Sequence, residues 1–160
     1  MAQNITASVR QKLLNKSREE KRPFQELLQY YAMERFLYRL SQSTHKRSFT
    51  LKGALLLWVM QGPDIRPTRD IDMLGQTSNR PEAILAQVSD MLATGVVDDG
   101  LSFEANTLKA EAITEDADYQ GIRVTFTGLL GNAKIPMQLD IGFGDIIFPL
   151  PSWQTFPALL

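Results

Sequence analysis

Cysteine is absent from the 160 residues, which excludes disulfides, thiolate metal centres and a cysteine nucleophile. Histidine occurs once, as His45. A multi-histidine zinc site cannot be built on it, and a Ser-His-Asp triad would have to use it. It lies in the polar run Ser41–Ser48 and reads as a solvated loop residue. No apolar run approaches the ~18–20 residues that span a membrane. Residues 1–22 are polar with both charge signs, unlike a secretory signal, so a cytoplasmic location without a membrane partner is expected. Walker A and G-x-G-x-x-G are both missing, and with them the fingerprints of P-loop and Rossmann proteins. With 17 basic against 18 acidic side chains there is no global pull toward nucleic acid, and any RNA contact needs a local patch.

What is present is an ordinary globular composition, 44% hydrophobic, long enough for one compact domain with a helical extension. Residues 4–20 carry Ile5, Val9, Leu13 and Leu14 at helical spacing. A second helix is predicted over 24–41, with Phe24, Leu27, Leu28, Tyr31, Leu37 and Leu40 inward and Pro23 at its start. Its aromatics Tyr30, Tyr31, Phe36 and Tyr38 read as core and rim rather than a base-stacking platform. A short strand, Phe49–Leu51, enters Lys52-Gly53-Ala54, and Leu55–Met60 reads as a buried helix stopped by Gly62-Pro63. Asp64–Arg69 is a loop, Asp70–Leu74 a strand, and an amphipathic helix follows from Pro81 with Ile84, Leu85, Val88, Met91 and Leu92 on one face. From Phe103 onward strands are predicted, with an acidic turn at Glu115–Asp118, a hairpin turn at Gly131-Asn132, and a return strand Ile135–Ile141. Pro136 implies an edge position or an interruption in that last strand. The expected fold is α/β (α+β), a mixed sheet flanked by helices with an N-terminal helical pair. The expected organisation is N-terminal helices over 1–47 packing on a core of 48–148, with 149–160 opening a C-terminal region.

Asp70 and Asp72 leave one face of a strand whose other face holds Ile71 and Met73. The same D-x-D spacing recurs at Asp116-Ala117-Asp118, but within a polar run without an apolar scaffold, and reads as a solvated turn. Two carboxylates on a packed strand repel unless a cation joins them. Asp140, between Leu139 and Ile141 on another apolar strand, supplies a third oxygen donor if its strand neighbours that of Asp70. Such a set suits Mg²⁺, and two ions about 4 Å apart clamp an in-line phosphoryl displacement. Asp145 is a spare candidate better explained as a loop cap. Gly53 permits close approach of backbone to a ligand, and N–H groups at a helix start bind phosphate. Lys52, Arg66 and Arg69 are candidate positive charges, with a structural ion pair as the alternative role for Arg69.

The ordered combination of F-T-L-K-G-A-L-L-L at 49–57, R-P-T-R-D-I-D at 66–72 and I-P-M-Q-L-D-I-G-F-G-D at 135–145, with Ala32–Leu37 upstream, resembles the AbiEii/AbiGii toxin family of nucleotidyltransferases. That family lies in the DNA polymerase β-like superfamily and is similar to toxins of type IV toxin–antitoxin or phage-abortive systems. The resemblance implies Asp70 and Asp72 as paired ligands of a two-ion Mg²⁺ site and Asp140 as the third carboxylate. It places Lys52, Gly53 and Ala54 at the nucleotide phosphates, with Arg66 and Arg69 nearby. It implies transfer of a nucleotide from an NTP to an RNA end such as tRNA, with Asp140 helping to deprotonate the acceptor hydroxyl through one metal, and restraint by a cognate antitoxin. The superfamily's Gly-Ser is Gly53-Ala54 here, which keeps the backbone N–H and lacks the hydroxyl. A K-D-x-x-D-like stretch expected in a further helical region has no match, so 149–160 reads as the start of a truncated region whose exposed apolar tail favours self-association. The alternatives are a catalytically silent nucleotidyltransferase-like module that binds nucleotide or a protein partner, and a metal-dependent nuclease or phosphodiesterase.

Overall fold

The computed structural model describes residues 4–56, 68–116, 119–144 and 156–160. The chain begins with helix α1 (Ile5–Glu20), whose first turn is capped by the Asn4 side chain accepting from the Ala7 N–H at 3.0 Å. Lys21, in the left-handed region at φ 54°, ends it. Helix α2 (Phe24–Gln42) follows directly, with Pro23 as its N-cap. Strands β1 (Phe49–Lys52) and β2 (Asp70–Gly75), helix α3 (Pro81–Leu92), and strands β3 (Leu101–Asp116), β4 (Tyr119–Leu130) and β5 (Ala133–Phe143) complete the order. Residues 53–56 start a helical turn after β1; the rest of the helix expected over Leu55–Met60 lies outside the described residues.

The sheet has the order β1-β2-β5-β4-β3, with β2 and β5 parallel and every other pair antiparallel. The mixed sheet expected from the sequence is therefore present, and the Asp70 and Asp140 strands are neighbours. One face carries Ile71, Met73, Ile122, Val124, Leu139 and Ile141, each at most 2% exposed. These side chains share one core with Val9 and Leu13 of α1, Leu27, Leu28 and Phe36 of α2, and Ile84, Val88 and Met91 of α3. Phe36 meets Phe103 edge-on and Phe126 at a tilt, their ring centroids 6.3 and 5.6 Å away. The α2 aromatics are core and rim as expected, Tyr38 alone of the four being exposed.

Three expectations change. The acidic turn is shorter, because β3 continues to Asp116, which pairs with Tyr119. Pro136 is as expected at a local edge near the start of β5, with a strand neighbour on the β4 side alone. It is tolerated because β2 first meets β5 at Gln138, and the Pro136 carbonyl accepts from Gln29 Nε2 at 2.8 Å instead of from a strand. His45 is half-buried and paired, its Nε2 lying 2.9 Å from Asp90 Oδ2. Most of the apolar stretch expected as an exposed tail lies outside the described residues; of its last five, Pro157, Ala158 and Leu160 are exposed while Phe156 and Leu159 pack on α2. Phe156 stacks on Tyr30, Leu159 is buried and donates its N–H to Glu34 at 3.0 Å, and the Pro157 carbonyl accepts from the Tyr30 hydroxyl at 2.8 Å. Phe156 and Leu159 are thus held against α2, whereas Leu160 is 46% exposed. Among the described residues no helix is long and apolar enough to cross a membrane.

Candidate active site

Side chains directly opposite one another on paired strands share a face. On the face away from the core, Lys52 pairs with Asp72, Asp72 with Asp140, Asp140 with Arg123, and Arg123 with Glu111. This is one row of charged residues crossing all five strands, with two like-charged carboxylates, Asp72 and Asp140, side by side at its centre and a cation on either side of them. A second row lies two residues along, where Asp70 pairs with Gln138, Gln138 with Thr125, and Thr125 with Lys109. The three aspartates expected to converge thus occupy adjacent positions of one sheet face.

The side chains are held differently. Asp140 is 9% exposed and accepts from Arg123 Nε at 2.9 Å and Arg123 Nη2 at 3.3 Å. Gln138 Nε2 adds longer contacts of 3.2 and 3.4 Å. Asp72 leans toward β1: a Cβ placed on Gly53 would collide with its carboxylate oxygen. Gly53 also has φ +75°, so glycine is required there twice, by backbone conformation and by space. The Asp70 carboxyl is raised above the usual carboxylate range, first by burial and then by the charge of Asp140, with Arg123 and Arg69 acting the other way. The same ion pair raises the Arg123 guanidinium.

In type and order the donors fit Mg²⁺, a hard cation that takes carboxylate oxygens. In their present rotamers they are not gathered around one point. Among the described residues no group of three or more His, Cys, Asp or Glu side chains is placed to hold a metal. The cause is visible, since Asp140 is turned into Arg123 while Asp72 lies against Gly53 on the other side.

Of the expected phosphate-side residues, Lys52 is half-buried and in register with Asp72, Gly53 is exposed, and Ala54 follows half-buried in the helical turn. Arg69 is exposed immediately before β2. Arg66 and the spare Asp145 lie outside the described residues, as does Asp118. Arg123 and Gln138 escaped the sequence reading. Arg123 could have been found by counting outward from the Gly131-Asn132 turn, since Leu130 opposite Ala133 leads to Arg123 opposite Asp140.

A family model described as nucleotidyl transferase AbiEii toxin, type IV TA system, matches residues 35–160, from the middle of α2 through every strand of the sheet. No curated protein and no solved structure matches the chain. The match covers well over half of the sequence and contains every candidate residue, so the chain belongs to the AbiEii nucleotidyl transferase toxin family.

Proposed function

We propose that this chain is a Mg²⁺-dependent nucleotidyltransferase of toxin type, which moves a nucleotide from an NTP to a hydroxyl at the end of an RNA such as tRNA and is restrained by a cognate antitoxin. The observation that carries this reading is the placement of Asp72 beside Asp140, with Asp70 on the same face and Gly53 against the Asp72 carboxylate. Asp70, Asp72 and Asp140 are the residues to hold the cation. Lys52, the Gly53-Ala54 backbone and Arg69 are those to hold the phosphates. In the reaction, the acceptor oxygen bonds to the α-phosphorus and the bond from that phosphorus to the α–β bridging oxygen breaks. Pyrophosphate leaves, and the hydroxyl proton passes to the Asp140 carboxylate and on to solvent. Bound Mg²⁺ supplies positive charge at the α-phosphate and at the leaving oxygen. Asp140, which accepts from Arg123, would turn from that partner to hold the cation, and Arg123 would then face the substrate's negative charge.

A second reading is favoured by that same ion pair. With Asp140 held by Arg123, the module binds nucleotide or a protein partner and is catalytically silent. Incubation with each labelled NTP, Mg²⁺ and total RNA separates the two. Label on RNA that disappears with Asp72→Asn or with chelation supports transfer, and the variant is expected to lose about a hundred- to a thousandfold in rate, the scale of losing a group that stabilises transition-state charge. Nucleotide binding without labelling of any RNA would establish the silent module.

A further inference from the structure

Both carboxylate oxygens of Asp140 are engaged by Arg123, Oδ1 by Nε at 2.9 Å and Oδ2 by Nη2 at 3.3 Å. In this two-pronged geometry a planar guanidinium matches a carboxylate and neutralises the charge that a cation would use. The backbone, and not side-chain rotation alone, delivers the pair. Arg123 lies opposite Asp140 in the β4–β5 register, and β4 lies beside β5 but not beside β2, the strand of Asp70 and Asp72. From its other side Asp140 is met by Asp72. It therefore has two rival partners: the arginine on one strand, or a cation shared with the aspartate on the other.

Arg123 has a second acid to turn to. On its far side it lies opposite Glu111 of β3, an exposed residue. The bond and charge of Asp140 do most to stabilise the guanidinium, and the charge of Glu111 acts in the same direction. The Arg123 side chain is 38% exposed, against 11% for that of Asp140. Passage from one acid to the other is thus a rotation through solvent that leaves the core packed. An arginine between two acids, one of them a candidate metal ligand, is a two-position element. Such an element shifts toward whichever position a ligand leaves to it.

We infer that Arg123 is a built-in competitor of the cation at Asp140: the two exclude one another there, and with metal alone bound Arg123 pairs with Glu111. Arg123 is then a positioning residue, which sets how tightly the site holds metal by acting through Asp140. The inference rests on the proposed function for the ligands Asp70, Asp72 and Asp140, and it is tested by metal affinity and not by transfer. The probe is Mn²⁺ alone, which takes the same oxygen donors as Mg²⁺ and whose unbound ion is counted by electron paramagnetic resonance. Arg123→Gln is expected to bind Mn²⁺ about fivefold tighter, the scale of one partly exposed ion pair that no longer competes. Arg123→Lys keeps a cation opposite Asp140 and is expected to stay within about twofold of the native chain. Lys109→Gln removes an exposed positive charge from the neighbouring row and leaves the Arg123–Asp140 pair in place. Screening by solvent and salt is expected to hold its effect below about twofold.

A gain in affinity is a readout that damage to the fold does not imitate, since a disordered site binds metal more weakly. Arg123→Met, which keeps an apolar stem without the charge, is the second variant should Arg123→Gln fail to fold. Unchanged or weaker Mn²⁺ binding in the folded variant overturns the inference. So does an equal gain in Lys109→Gln, since the general field and not an exchange at Asp140 would then set the affinity. Native binding that Asp72→Asn removes, with no gain in Arg123→Gln, leaves the metal site standing and sinks the competitor. Mn²⁺ binding that Asp72→Asn does not alter sinks the ligand assignment, and the competitor with it. Tighter binding in Arg123→Gln by a protein that transfers no nucleotide upholds the competitor and sinks the transferase reading.

Discussion

Two aspartates of this chain are each bound to arginine, and they sit in different surroundings. Asp99, just before β3, accepts from Arg39 at 2.8 and 3.0 Å, from Arg35 at 2.8 Å, and from its own strand at the Leu101 N–H at 3.1 Å. Its side chain is 6% exposed and that of Arg39 is 7% exposed. Burial alone would raise this carboxyl, but the bonds from Arg39 and Arg35 outweigh it and hold it below the usual range. Asp140 has one arginine, Arg123, whose side chain is 38% exposed, and Gln138 only at longer range. The first pair is closed on all sides and ties α2 to the start of β3. The second is open to solvent on the cation's side and can exchange. Chemistry needs the second kind, because a charge committed to three short bonds has nothing left to offer a ligand.

Cutting both acids breaks the comparison hardest. Asp99→Asn leaves the buried Arg39 and the half-buried Arg35 against a neutral group and is expected to cost about 3–5 kcal/mol of stability, read from urea or thermal unfolding. Asp140→Asn is expected to cost no more than about 1 kcal/mol, the scale of a partly exposed pair, while abolishing nucleotide transfer. Equal stability losses in the two variants would mean that Arg123 and Asp140 are as structural as the pair at Asp99.

Gly53→Ala sharpens the same contrast from the site's side. The added methyl meets the Asp72 carboxylate and must adopt φ +75°, a conformation that costs of order 1–3 kcal/mol outside glycine. That cost falls on an exposed turn, so the expected loss of stability lies below that of Asp99→Asn, with the thermal response to NTP and Mg²⁺ removed. A variant that keeps this response would show that the turn does not hold phosphate.

How much of the molecule is legible in its sequence follows from what fixes register. The helices, the strand order of the hairpin and the inward face of each strand come from spacing, because Ile71, Met73, Leu139 and Ile141 alternate with polar residues over a buried face. The hairpin turn at Gly131-Asn132 fixes the pairing of β4 with β5, so the Arg123–Asp140 contact lies within reach of simple counting. No turn links β2 to β5. That Asp72 falls opposite Asp140, rather than Asp70 or Asp145, depends on long-range packing that no local pattern encodes. The register jump in β3 and the arginines that meet Asp99 from α2 escape for a similar reason. Arg39 reads as a solvated helix position until Asp99, far along the chain, is known to be its partner.

The finest test uses a third acid. Glu34 on α2 is buried like Asp99 but has no arginine bonded to it among the described residues; burial raises its carboxyl, and only the Leu159 N–H and the nearby charge of Arg35 pull it back. The two acids therefore make opposite contributions to stability as pH changes. Asp99, lowered in the folded state, stabilises above its unfolded value near 3.9 and loses that contribution as pH falls through its folded value. Glu34, raised in the folded state, contributes fully below its unfolded value near 4.3 and loses that contribution as pH rises through its folded value. Glu34→Gln keeps an acceptor for Leu159 and removes the charge. At pH 7 it is expected to raise the thermal midpoint by a few degrees at most, and the gap should close as pH approaches 4. The gap for Asp99→Asn has the opposite sign and should shrink only in stronger acid. A Glu34→Gln gap that stays constant with pH, or that is destabilising at pH 7, would mean that Glu34 is held by its contacts as firmly as Asp99.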